Sequence, residues 1–186
     1  MLLIFKECAY LIIDFRYIEK ARNTVKNCTV MEQENLTEQI NSLMKKHNAK
    51  SLAVESMDMT LSRMSFLEKK FPDIEFIKSD ELSNNIYDMR TIKSTEEIEK
   101  IHKAQKIAEK AFDEILGFIR PGVTEREIAL KLDNCMLENG AEGLSFETIA
   151  LAGANTSMPH GVPGNYKVKN GDFVLMDFGA VYDGYH

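Results

Sequence analysis

A chain of 186 residues and 21.2 kDa has room for one large domain or two small ones, and 44% hydrophobic residues are enough for a buried core. Its 29 acidic against 23 basic residues leave a net charge of -6 and no basic stripe to neutralise phosphates, so no nucleic-acid partner is expected. No apolar run is long enough to cross a bilayer, and the opening MLLIFKECAYLIID has neither a basic leader nor a small-residue cleavage site; no membrane partner and a cytoplasmic location are expected.

Short apolar runs at 10–14, 29–32, 51–55 and 74–77 read as strands. Between them, Tyr17 to Lys26, Leu36 to His47 and Leu61 to Phe71 place apolar residues three or four apart, as helices packed on a sheet do. A small α/β layer follows over residues 1–90. Residues 79–94 are polar and weakly periodic, and the domain boundary is placed near Arg90. Cys8, Cys28 and Cys135 are odd in number and far apart, which suits reduced core thiols rather than disulfides or a zinc knot.

Residues 91–186 begin with a long helix. Ser94 with Glu97 forms a capping box, and Ile98, Ile101, Ala104, Ala108, Ala111, Phe112, Ile115 and Ile119 form a stripe that runs to Pro121-Gly122. Thr124 with Glu127 opens a second helix, marked by Ile128, Leu132, Cys135 and Met136 and closed by Gly140. Phe146 to Ala152 then reads as a strand, Gly153 to Asn165 as a turn-rich loop, and Phe173 to Val181 as one further strand, with a hairpin turn at Asp183-Gly184.

Two residues stand out chemically. Asp177 lies in FVLMDFGAV, the most apolar stretch of the chain, where an unpartnered charge would be costly; a metal or catalytic role competes with an Asp that caps a sheet end by accepting hydrogen bonds. Gly179, on the same face, is expected to leave room for an ion or substrate beside that carboxylate. His160 sits in NTSMPHGVPG, where prolines and glycines confine the backbone around an imidazole; a solvent-facing loop histidine is the plain alternative. His47 and His102 fall on what read as polar helical surfaces.

The runs LIIDFRYIEKARNTV, RTIKSTEEIEKIHKAQKIAEKAF, IRPGVTEREIA, GAEGLSFETIALAGANTSMPHGVPG and NGDFVLMDFGAVYDGYH, in that order, resemble the pita-bread metallopeptidases, closest to aminopeptidase P and prolidase. The resemblance implies a partial creatinase-like α/β N-terminal domain followed by the first part of an α+β pita-bread catalytic domain. It implies that His160 assists at the scissile bond and that Asp177 is the first carboxylate ligand of a two-metal centre, with manganese the leading ion and cobalt or zinc as alternatives. The substrate implied is a peptide with proline second, cleaved by an Xaa-Pro aminopeptidase; prolidase action on Xaa-Pro dipeptides is the near alternative. A non-catalytic pita-bread module that binds peptides or proteins, and a creatinase-like hydrolase, are the further ones. A homodimer is expected by the same resemblance. The family's second Asp would fall shortly beyond His186, with another His and a pair of Glu later still, so this chain alone is expected to lack peptidase activity.

Overall fold

The computed structural model describes all of residues 1–186, and the chain divides into two units, Met1–Thr91 and Ile92–His186. In the first unit, strand β1 (Leu2–Ile4) pairs antiparallel with β2 (Ala9–Ile13), and β2 pairs parallel with β3 (Thr29–Glu32) through helix α1 (Ile18–Thr24). Helix α2 (Leu36–Lys46) follows, and β4 (Ser51–Ala53) pairs parallel with β5 (Glu75–Ile77) across helix α3 (Leu61–Lys70). Both long helices are capped as their sequences allow: Asn35 accepts from the Glu38 amide and Thr60 from the Arg63 amide. Leu3, Ile12, Ile40, Leu43, Met44, Met64, Leu67 and Phe71 share one core.

Four features of this unit depart from expectation. β1 falls within the opening segment and is half of a hairpin with β2, whose turn at 5–8 includes no Gly, Pro, Asn or Asp to announce it. Residues 81–91 form helix α4 rather than a polar separator; only Ser83 of its residues is buried, so no apolar stripe marks it. His47 is not a polar-surface residue: its ring stacks on Phe5 at 4.1 Å, with the Tyr10 hydroxyl 3.0 Å from its Nε2. Cys28 is partly exposed rather than a core thiol, Cys8 is partly buried against the core, and Cys135 is buried, where burial pushes its thiol up; all three are free.

The second unit is built on two capped helices. In α5 (Thr95–Leu116) the Ser94 hydroxyl accepts from the Glu97 amide while the Glu97 carboxylate accepts from the Ser94 amide. Its buried line is Ala104, Ala108, Ala111 and Ile115; Ile98 and Phe112 lie off it at 56% and 40% exposure, and the helix ends before Gly117. In α6 (Glu125–Glu138) Thr124 and Glu127 form the same reciprocal pair. Gly140, at φ +98°, ends it in a left-handed turn: its amide donates to the Leu137 carbonyl and the Ala141 amide to the Met136 carbonyl.

Four short strands complete the unit. β6 (Gly143–Leu144) pairs antiparallel with β9 (Ala180–Val181), and β7 (Ile149–Ala152) pairs antiparallel with β8 (Val174–Asp177). The expected single strand from Phe173 to Val181 is thus two, broken at Phe178-Gly179, because its halves pair with different partners. Asp183 and Gly184, both at positive φ, turn the chain so that Tyr182 and Tyr185 bridge. Ala111, Ile115, Ile128, Leu132, Cys135, Met136, Ala150 and Ala180 form the core between helices and strands. No helix is long and apolar enough to cross a membrane.

The second capping box carries a test. Thr124→Ala should cost about 1 kcal/mol, read as a lower urea midpoint at unchanged slope. The backbone N–H and then the hydroxyl of Thr124 hold the Glu127 carboxyl below its ordinary range. With the folded value depressed, the stabilisation is whole above the ordinary carboxylate range and fades as pH falls through the depressed value. Glu127→Gln should therefore flatten the acid-side decline in that window, and an unchanged pH slope would contradict the assignment.

Candidate active site

A cavity of about 580 Å³ opens in the second unit. Residues 146–149, leading into β7, form one wall; His160, Gly161, Val162 and Pro163 of the following loop form another; Asp177, at the end of β8, completes it. Asp177 arrives there because it stands opposite Ile149 in the β7–β8 register. His160 arrives through a loop that starts with a short 3₁₀ turn at Gly153–Ser157. Two sequence candidates separated by the loop and a strand therefore line the same space.

The reason given from sequence for singling out Asp177 does not hold. The strand is apolar, but Asp177 is exposed at its end, so its charge bears little burial cost. The structure instead gives a carboxylate without a hydrogen-bond or ion-pair partner in the chain; it does not cap the sheet end. Nor does Gly179 open a vacancy. A Cβ there would lie 2.8 Å from Ser145 Oγ and 3.5 Å from the Phe146 ring, so those side chains already occupy the space a side chain would take. His160 is exposed, and Glu147, also exposed, adds a second carboxylate to the cavity wall. Two acceptor-only carboxylates and an imidazole favour a cationic or hydrogen-bond-donating occupant, and Phe146, Ile149, Val162 and Pro163 offer an apolar surface beside them.

The loop is held tightly at its base. Glu125, at 1% exposure, accepts from the Ala152 amide at 2.8 Å and the Asn155 side-chain amide at 2.9 Å through Oε1, and from the Gly164 amide at 3.0 Å through Oε2. The first amides of α6 are also engaged, that of Glu125 with the Tyr166 carbonyl and that of Arg126 with the Gly164 carbonyl. Gly161 passes so close to the sheet that a Cβ would stand 2.6 Å from Leu151 Cδ1. Sequence reasoning missed Glu125, Glu147 and Thr148. The pattern Thr124-Glu125-Arg126-Glu127 identifies Glu127 as the capping residue and makes Glu125 look like an ordinary first-turn acid.

No group of three or more His, Cys, Asp and Glu side chains is gathered so as to hold a metal ion. Each ion of a dinuclear centre needs several ligands, and the cavity side chains Glu147, His160 and Asp177 are not gathered into such a set.

Solved structures share this architecture. An X-Pro aminopeptidase from Thermotoga maritima superposes with a TM-score of 0.87 at 34% identity over 97% of this chain and 51% of its own. An Xaa-Pro dipeptidase from Bacillus anthracis does so at 0.89 and 35% identity, over 97% and 50%. The fold is accordingly a creatinase-type α/β unit followed by the first part of a pita-bread domain. Residues 1–92 match the creatinase/prolidase N-terminal domain and residues 99–186 match metallopeptidase family M24. The second unit thus matches a metallopeptidase family, and that match implies divalent metal ions. Among curated relatives, it is 35% identical over 178 residues to an uncharacterized peptidase, YqhT, of Bacillus subtilis, covering 95% of this chain and 50% of that protein. It is 41% identical over 137 residues to an Xaa-Pro dipeptidase of Pyrococcus horikoshii, covering 74% of this chain and 38% of that protein. The chain thus spans about half, or less, of the length of these relatives.

The close approach of the loop to the sheet is testable. Gly161→Ala should destabilise the chain by about 1–3 kcal/mol, because Leu151 is fully buried and cannot retreat. Leu151→Ala in the same molecule should return part of that loss, giving a coupling of about 0.5–3 kcal/mol in a double-mutant cycle. Strict additivity of the two changes would mean that they do not touch.

Proposed function

We propose that the protein containing this chain is a metal-dependent peptidase that acts on peptides with proline in the second position. Asp177 is its first carboxylate ligand, and His160 sits beside the substrate and donates a hydrogen bond at the scissile bond. The observation that carries this reading is the meeting of an unpartnered Asp177 and His160 on one cavity. It is supported by relatives that are Xaa-Pro dipeptidases or X-Pro aminopeptidases. The apolar side of the cavity suits a pyrrolidine ring, and the acidic side suits cations.

In such centres the ions activate a water and stabilise the charge that develops on the carbonyl. This chain's own part is narrower: Asp177 offers oxygen donors, and His160 orients the substrate. Manganese is the ion we favour for such oxygen-rich ligation, with cobalt or zinc as alternatives. Within this reading the leading activity is that of an aminopeptidase releasing the first residue, and prolidase action on dipeptides is the near alternative. A homodimer is the proposed assembly, checked by sedimentation.

The test is an assay of the whole gene product against an Xaa-Pro dipeptide and a longer Xaa-Pro peptide, with manganese, cobalt or zinc supplied. Turnover of the longer peptide supports the aminopeptidase, and turnover of the dipeptide alone supports prolidase. No turnover of either with any of the ions would overturn the peptidase reading in favour of a binding module. Asp177→Asn and His160→Ala should each lower kcat/KM by roughly a hundredfold or more. The 186-residue chain by itself should be inactive, and metal-dependent turnover by it would refute the view that one carboxylate is too few.

A further inference from the structure

Glu125 is the one acidic residue of the chain among its largest fully buried side chains, and no salt bridge reaches it. A buried carboxylate without a counter-ion persists only where donors replace water, and here three N–H groups do so at the N-terminus of α6, where the helix dipole also favours negative charge. The donors have a particular placement. Ala152 ends β7, Asn155 lies in the 3₁₀ turn, and Gly164 ends the loop. One side chain therefore closes a segment of the backbone into a ring, and His160 lies within that ring. The outer part of the segment is otherwise held by local contacts: the Met158 amide donates to the Asn155 carbonyl, the Gly161 amide donates to the Met158 carbonyl, and Gly161 rests on Leu151.

We propose that Glu125 is the positioning residue for His160, holding the imidazole at the cavity by tying both ends of its loop to the start of α6. The proposal rests on the reading of His160 as the group that meets substrate. A carboxylate is required because both oxygens are used as acceptors. A glutamine offers one acceptor and one donor, and its oxygen would settle where two donors converge, leaving its nitrogen against the Gly164 N–H.

The experiment compares amide hydrogen exchange and the His160 ring resonances by NMR in the 186-residue chain and its Glu125→Gln variant. Exchange across residues 156–164 should quicken by roughly ten- to a hundredfold while the amides of α5 keep their rates. The His160 ring chemical shifts should move towards those of a histidine in a short unstructured peptide. Unchanged exchange in the loop, or an equal rise throughout residues 92–186, overturns the proposal. Should Glu125→Gln not fold, Asn155→Ala removes a single donor: faster exchange confined to the loop supports the proposal, and none refutes it. Turnover by His160→Ala in the whole gene product judges the underlying reading separately. Undiminished turnover there removes the role assigned to His160, and with it Glu125's role in positioning that side chain for reaction, even where the loop loosens as expected.

Discussion

A buried charge in a small unit constrains everything around it, because any rearrangement that takes its donors away leaves it bare. Glu125 imposes that constraint on the second unit. Its three donors come from a strand end, a turn and a loop end, so β7, the 3₁₀ turn and the segment after Pro163 have to meet at the first turn of α6. The helix adds its own demand, since its leading amides need acceptors and find them at Tyr166, Gly164 and the Thr124 hydroxyl. The chain from Gly164 to Val168 is thereby laid along residues 122–126, with Thr124 and Lys167 bridged, the Gly122 amide donating to the Val168 carbonyl and the Val168 amide to the Val123 carbonyl. Together these ties fix where the chain returns to the sheet as β8, and so where Asp177 ends up.

Local chemistry was what the sequence disclosed well. Ser94 with Glu97 and Thr124 with Glu127 carry their partners within one turn, and Gly140 needs only its own freedom at positive φ to end α6. The misreadings arise where the decisive partner is distant. Phe173 to Val181 looks like one strand because its apolar run is continuous, yet β6 claims one half and β7 the other. Helix α4 buries only Ser83, whose hydroxyl lies 3.3 Å from that of Ser56 and accepts from the Met57 amide at 3.4 Å, and polar contacts at one residue leave no periodic trace. Ile98 and Phe112 sit at positions compatible with the stripe of α5, but its helical period carries them to the edge of the face that Ala104, Ala108, Ala111 and Ile115 bury.

The candidate site divides along the same line. Asp177 and His160 line one cavity, as two residues singled out by sequence, although the apolar neighbours that drew attention to Asp177 do not bury it. Their surroundings were not legible. Glu147 and Thr148 look like unremarkable residues before a strand, and Glu125 like a surface acid, because what distinguishes each is a neighbour far along the chain: Thr148 donates to Asp133, and Glu125 reaches across to Gly164. Gly179 shows the opposite error. Its lack of a side chain admits Ser145 and Phe146 instead of an ion, and the Ser145 hydroxyl uses the close approach to donate to the Ala180 carbonyl.

Rigidity and exposure are divided between the two chemical groups in a way that follows from their supports. Asp177 stands in a paired strand, whose ladder sets its position without any bond to its carboxylate, so both oxygens remain free for an occupant of the cavity. His160 has no ladder. Its loop must be placed by contacts at its ends and by the missing side chain at Gly161, which allows the backbone to lie against buried Leu151. A polar staple suits this task better than apolar packing would, because residues 160–163 have to remain at the surface to line the cavity and cannot be anchored by their own burial. That division explains why a carboxylate without a counter-ion is tolerated in the core of the second unit: held by its three N–H donors, it secures from beneath a segment whose upper face must stay open.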